Sequence, residues 1–418
     1  MKLGKSRSMQ ASYFIGKRIA FNKASSFSKF IIRIAIIATT ISVAVMIVAT
    51  SMIHGFQRTV QEKIFSFWGH IHITKYSPNS GPLSEQMPFD KNPQIEDSIL
   101  SMPGVKSINA FVNKSVIVKT NSETEGLIFK GVDKDYHLEN WQRFITQGKF
   151  ITFNDSTYSN DVLISAAMAN RLELKLGDPM IVYFIQGAGM APRARKLKIA
   201  GIYKTGIDEY DNTYLVGDLS LVRKLNDWEP NQIGGYEVFV NDYQKTEPIA
   251  YDMLDFLPME LAVRTMEQIY PNIFDWLQLQ QKNEIIIIII MIIVAIINMI
   301  TAILILILER TNMVGILKAI GMHNREIQRI FIYQAAYIVI IGILAGNLLG
   351  LGFCYFQSTT GFFKLPEETY YMNVVPIAIQ WWKVIAINIG TLLVCVFVIL
   401  IPAAIIRRIV PVKAIQFK

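Results

Sequence analysis

Four apolar stretches divide this chain unevenly, one near the N-terminus and three in the C-terminal third, with a long polar block between the first two. They occupy residues 34–53, 285–308, 330–356 and roughly 381–401. A bilayer's hydrocarbon core takes about 20 apolar residues in helical form, and all four stretches are long enough. The polar block is large enough for one or two ordinary domains. The expected fold is therefore a four-helix transmembrane protein, spans arranged 1+3, with a large head inserted between spans one and two.

Basic residues near span ends are retained on the cytoplasmic side, whereas acids count for little. Lys2, Lys5, Arg7, Lys17, Arg18, Lys23 and Lys29 precede the first span with no acid among them. Arg407, Arg408, Lys413 and Lys418 follow the last, again without an acid, and the link between spans two and three carries Arg310, Lys318, Arg325 and Arg329 against Glu309 and Glu326. These regions are expected inside, with the head and the 361–380 loop outside. The formal net charge of +8 is then a topology signal; no aromatic-basic stripe points to nucleic acid. The first apolar core is longer than that of a cleaved signal peptide and runs into Gln57 and Arg58, so it reads as a retained span. Cys354 and Cys395 both fall in predicted spans, which leaves the head without a disulfide framework.

The organisation expected is a cytoplasmic amphipathic helix in residues 1–29, spans at 30–53, 285–308, 330–356 and 381–402, and the head at 54–284. A cytoplasmic interfacial helix at 309–329, a short outer loop at 357–380 and a cytoplasmic C-terminus at 403–418 complete it. In the head, alternation and turn residues predict strands at 69–76, 112–119, 127–131, 180–184, 196–203 and 237–241. Helices are predicted at 93–101, 165–174, 219–225, 248–257 and 265–281, which makes the head α+β. The last of these is expected to run on into the second span and join head and membrane rigidly.

Within the spans, Asn298, Gln334, Asn347 and Asn388 read as interhelical glue. Gly342, Gly346 and Gly350 recur every four residues and form a surface for close helix approach, to another span or to a second protomer. Neither a row of intramembrane acids nor a broken helix is present, which argues against an ion-coupled transporter. In the head, the 184–195 stretch FIQGAGMAPRAR reads as a projecting hairpin, with Gly187, Gly189 and Pro192 at the tip and Met190 free to adapt to a partner. An ordinary solvated hairpin with a basic flank is the plainer reading of these residues alone. His70 and His72 offer half a metal site with no third ligand nearby, and exposed histidines are the plainer reading. Asp208, Glu209 and Asp211 flank Tyr210 in what reads as a polar turn, with no matching nucleophile or base.

The most specific local sequence is ERTNMVGILKAIGMHNREIQRIF at 309–331. Met313, Ile316, Leu317 and Ile320, then Ile327 and Ile330, recur near helical spacing, so an amphipathic helix capped around Gly321 is expected. Composition alone leaves partner docking and lipid anchoring equally open. The segment resembles the cytoplasmic coupling region of the FtsX-like permeases, the membrane subunits of type VII ABC transporters, in its acid-arginine pair followed by Ile-Leu-Lys-Ala-Ile-Gly. FIGKRI at 14–19, HGF at 54–56, IFDWLQL at 273–279, LPEETYY at 365–371 and the 402–414 tail are similar to the LolC/LolE branch, which works in lipoprotein release.

The resemblance implies a MacB-like periplasmic core for the head and a bacterial inner-membrane location. It implies that ATP, with Mg, is hydrolysed by a separate cytoplasmic ABC ATPase; the chain carries no Gly-x-x-x-x-Gly-Lys-Ser/Thr phosphate cradle of its own. Coupling would fall to Glu309, Arg310, Gly315, Ile316, Leu317, Lys318, Ala319, Ile320 and Gly321. Gln186, Gly187, Gly189, Met190, Pro192 and Arg193 would form a hook that docks a periplasmic lipoprotein carrier. The other implied partners are a second permease protomer, the same or related, a lipoprotein substrate and membrane lipids. No catalytic residue, metal ligand or bound cofactor is implied. An FtsX-like role in regulating a cell-wall hydrolase and a MacB-like efflux role are the alternatives.

Overall fold

The computed structural model describes residues 26–403, apart from 79–80, 82–83, 121–122, 137–138, 155–156 and 188. The expected N-terminal amphipathic helix through residue 25 and the basic C-terminal tail from 404 lie outside the described residues. The chain divides into two units: a head of Thr59–Leu277 with Leu365–Asn373, and a membrane unit holding the rest.

Among the described residues, the membrane unit holds four helices long and apolar enough to cross a bilayer. They span Ser26–Trp68, Pro271–Glu309, Asn324–Thr360 and Trp381–Val398. The first runs well past the expected end at residue 53. The reason lies in the sequence: beyond Arg58 its Val60, Ile64, Phe67 and Trp68 fall on one helical face and are buried in the head's interior. The expected 265–281 helix is split, because Thr265 ends a strand and closes a capping box with Gln268 over the short Met266–Ile269 turn. The second long helix then opens at Pro271, whose missing N–H costs nothing at a first helical position. It continues unbroken through the second apolar stretch.

Close glycine contacts and paired amides tie the third helix to the first and the fourth. A Cβ at Gly342 would lie 2.7 Å from Thr39 Cβ, one at Gly346 2.7 Å from Val43 Cβ and one at Gly350 3.2 Å from Ala44 Cα. The glycine stripe therefore serves the first helix of the same chain, and Thr40 Oγ1 donates to the Gly342 carbonyl at 3.3 Å. Asn347 and Asn388 exchange reciprocal amide hydrogen bonds of 3.0 Å, which tie the third helix to the fourth.

The head's strands are β1 (Ile71–Lys75), β2 (Phe89–Asp90), β3 (Val105–Lys119), β4 (Thr124–Val132), β5 (Ile145–Gly148) and β6 (Asp161–Ser165). They are followed by β7 (Pro179–Phe184), β8 (Arg193–Tyr203), β9 (Tyr214–Asp218), β10 (Gln232–Ile233), β11 (Gly235–Val240) and β12 (Leu261–Thr265). Ten belong to one sheet in the order β12-β1-β11-β3-β4-β9-β6-β8-β5, with β7 pairing both β3 and β8. Those pairings close a ring, β3-β4-β9-β6-β8-β7 and back to β3. β3 makes this possible by its length: Val105–Phe111 pairs with β11, whereas Val116–Lys119 pairs with β7. The ring is filled by Val116, Phe129, Val162, Phe184 and Leu215, among others. It closes tightly enough that a Cβ at Gly217 would fall 2.1 Å from the Phe129 ring.

Residues 365–373, expected to lie in the short outer loop, belong to the head. Lys63 Nζ donates to the Tyr371 carbonyl at 2.6 Å, and Lys204 pairs with Glu367 at 2.6 Å.

Candidate functional site

The expected 309–329 helix is two pieces. A short helix spans Thr311–Ala319, and residues 324–329 already belong to the third long helix. Thr311 Oγ1 donates to the Leu308 carbonyl at 2.7 Å, satisfying an orphan acceptor at the end of the second helix. The short helix stops at Gly321 (φ 96°), where Gly321 N–H donates to Lys318 O and Met322 N–H to Leu317 O. This pair of bonds needs a left-handed residue, which glycine adopts without a Cβ penalty.

One face of this helix turns inward. Val314 and Gly315 are buried, and Val314 packs with Leu306, Ile327 and Phe331. Asn312, Ile316, Ala319 and Ile320 share the opposite face and are exposed, Ile316 by 47% and Ile320 by 79%. Of the residues singled out in the sequence, Ile316, Ala319, Ile320 and Gly321 are thus presented outward. Glu309 is also exposed, Arg310, Leu317 and Lys318 are half-buried, and Gly315 belongs to the interior.

The hairpin tip lies between Phe184 and Arg193, the last pair of the β7-β8 ladder. Gly189 sits at φ 88°, and Cβ atoms at Gly187 or Gly189 would meet nothing within 4 Å. Met190 is 67% exposed, Pro192 is exposed and Gln186 bonds locally to the Phe184 carbonyl. Arg193 is committed elsewhere: its guanidinium donates to the Leu225 carbonyl at 2.7 Å and pairs with Asp227 at 2.9 Å. The Arg193 hydrogen bond and charge hold the Asp227 carboxyl below its usual range.

The histidines are not exposed. His72 Nε2 lies 2.9 Å from the Trp68 carbonyl in the interior, and burial presses its pKa down to about 3. His70 stacks on Phe65 at 4.2 Å, its Nδ1 accepts from Val240 N–H, and burial lowers it to about 4. Both are neutral packing residues, and among the described residues no group of three His, Cys, Asp or Glu is placed to hold a metal. Asp208–Asp211 forms a helical turn in which buried Asp211 accepts from Thr205 N–H, Thr205 Oγ1 and Gly206 N–H. Its role is to hold that turn.

Sequence reasoning missed the head's buried ion pair. Lys130 Nζ lies 2.7 Å from Glu237 Oε1, with both side chains fully buried. Lys130 also donates to the Phe67 carbonyl and sits 4.1 Å from the Trp68 ring centroid. Tyr136 OH donates to Glu237 Oε2 at 2.9 Å and receives Trp141 Nε1–H at 3.2 Å. Burial pulls the Lys130 pKa down and pushes that of Glu237 up, and each charge opposes the other's shift. The signal was present as a lone Lys and a lone Glu inside otherwise apolar strand runs.

Residues 34–248 match the MacB-like periplasmic core domain, just over half of the chain, and residues 285–411 match the FtsX-like permease C-terminal domain. The chain belongs to the MacB-like periplasmic core family, and its C-terminal third matches the FtsX-like permease domain. Over nearly its whole length this permease is similar to two named relatives. It is 22% identical to the lipoprotein-releasing system transmembrane protein LolE of Haemophilus influenzae, covering 98% of this chain and 100% of the relative. It is 21% identical to LolC of Neisseria meningitidis serogroup B, covering 97% and 99%. The solved periplasmic region of MacB from Actinobacillus actinomycetemcomitans aligns with 49% of the permease and 91% of its own length, at 14% identity and a TM-score of 0.34.

Proposed function

We propose that this permease is the membrane subunit of a lipoprotein-releasing ABC system in the bacterial inner membrane. The observation that carries the reading is the end-to-end correspondence with LolE and LolC, which includes spans, linking helix and head together. In this reading the termini and the Thr311–Ala319 helix are cytoplasmic and the head is periplasmic, as the basic flanks require. A separate ABC ATPase binds and hydrolyses MgATP, and the permease itself is non-catalytic. Ile316, Ala319 and Ile320 dock in an apolar groove of that ATPase, supported by their exposure on one helical face. A second permease protomer, the same chain or a related one, completes the membrane part.

Lipoprotein release costs work, because each acyl methylene leaving the bilayer forfeits about 0.8 kcal/mol. ATP hydrolysis supplies it, and the head passes the substrate to a periplasmic carrier that docks at Gln186, Gly187, Gly189, Met190 and Pro192. Met190 is the centre of that hook; Arg193 anchors its base through Asp227.

The test is ATP-dependent release of a labelled lipoprotein from proteoliposomes holding the permease and its ATPase, with the carrier outside. Release that persists without ATP, or none in the complete system, sinks the reading. Ile316→Asp with Ile320→Asp should abolish stimulated hydrolysis and release while leaving the permease inserted. Replacing 187–192 by a short Gly-Ser turn should spare hydrolysis and stop handover. For topology, a cysteine at Asn231 should react with an impermeant thiol reagent in spheroplasts and one at Asn324 should not.

A further inference from the structure

Where the second and fourth long helices begin their apolar runs, they are joined by an ion pair. Glu284, 4% exposed, accepts from Lys383 Nζ at 2.6 Å, and the largely exposed Trp382 ring lies beside it. A crevice of about 260 Å³ extends from this pair between the first, second and fourth helices. Its walls include Met46, Ile288, Ile292 and Ile387, and its surface is almost wholly apolar. Gly390 also lines it, and a Cβ there would meet no atom within 4 Å. From the ion pair to Ile292 and Gly390 is about two helical turns, roughly 11 Å at 1.5 Å per residue.

Once these helices cross a bilayer, the reading on which this inference rests, the crevice lies at hydrocarbon depth. No water is available there to fill it, and an alkyl chain is the natural occupant. The mouth selects the headgroup. It carries one positive and one negative side chain at the level where Trp residues gather at the interface. A lipid bearing a phosphate and a primary ammonium can meet both: the phosphate accepts from Lys383 and the ammonium donates to Glu284. An anionic lipid would leave its excess charge beside the Glu284 carboxylate, and a quaternary ammonium has no hydrogen to donate.

We propose that the crevice is a binding site for one acyl chain of a phosphatidylethanolamine-type lipid, its zwitterionic headgroup seated on the Glu284–Lys383 pair. The bound lipid is a resident part of the membrane unit, wedged among three helices.

The experiment is quantification of lipids that co-purify with the full-length permease in its complex, by native mass spectrometry after exchange into mild detergent, with added phosphatidylethanolamine or phosphatidylglycerol. About one phosphatidylethanolamine per chain is expected, about tenfold preferred over phosphatidylglycerol, the ratio set by one charge-assisted contact. Gly390→Phe fills the crevice and should lose that lipid. Glu284→Gln keeps the shape and volume and should abolish the preference while retaining an acyl chain, a result that misfolding would not give. Equal retention of the two lipids by the unaltered protein, undiminished lipid in Gly390→Phe, or preferential displacement by a diacylated peptide would each overturn the assignment. None of these readings involves ATP or release, so their failure is separate from failure of the release assay.

Discussion

The two units keep their interiors together by opposite means. The head buries a charged pair, Lys130 with Glu237, inside a shell of Phe67, Trp68, Tyr136 and Trp141. Along their apolar runs the helices of the membrane unit are joined by glycines and neutral amides, with the Glu284–Lys383 pair confined to where two of those runs begin. The difference follows from what each interior competes against. In water, apolar burial drives folding and tolerates one costly polar network if every member has a partner. Between helices in lipid, apolar contact with a neighbour gains little over contact with acyl chains, so close approach and a few hydrogen bonds carry association.

That contrast makes ranked predictions. The largest effect belongs to the head: Glu237→Ala or Lys130→Ala alone leaves an uncompensated buried charge and should destabilise it by about 3–5 kcal/mol. Denaturant unfolding monitored by Trp fluorescence measures this. Lys130→Met with Glu237→Leu should recover most of the loss, because two apolar groups replace the pair. If the single variants are as stable as the parent, the contrast between the units is broken on the head's side.

In the membrane unit, Gly346→Leu forces a Cβ to within 2.7 Å of Val43 Cβ and should cost about 1–3 kcal/mol by overpacking. The check is thermal unfolding in detergent, with Gly352→Leu as control, since a Cβ there meets nothing within 4 Å. A loss equal in the two variants would show that the stripe is not a packing surface. Asn388→Leu should cost less, about 0.6 kcal/mol, the average for an interhelical hydrogen bond in a membrane. A loss matching that of the head's ion pair would show that the two interiors do not differ in this way.

The smallest effect belongs to the exposed Arg193–Asp227 pair. Its Arg193 partner lowers the Asp227 pKa in the folded state. Its contribution is therefore present above the ordinary Asp range and lost as pH falls through the lowered folded value. Amide exchange at the hairpin base should quicken slightly there and nowhere else, with global unfolding unchanged.

What could be read from sequence tracks local signals. The helices Pro93–Ser101 and Leu219–Leu225 were legible to the residue because Asn92 and Asp218 cap their first N–H groups. β6 and β9 were missed because they are buried on both faces and show no alternation to recognise. The Thr311–Ala319 helix and its Gly321 stop were visible in the residue pattern, but not the inward turn of Gly315. The Lys130–Glu237 pair depends on β3 lying between β4 and β11, a long-range arrangement that no spacing rule encodes. The crevice at Gly390 was likewise invisible, since it is a property of three helices and not of one.

The head's discontinuity bears on how the protein is made. Lys63 and Lys204 find Tyr371 and Glu367 only after the second and third long helices have been synthesised. At about 5–20 residues per second, the head therefore waits several seconds with these positions open, after its own strands have left the ribosome. A soluble fragment ending at Leu277 would remain in that unfinished state. Supplying residues 365–373 as a tethered strap should complete it.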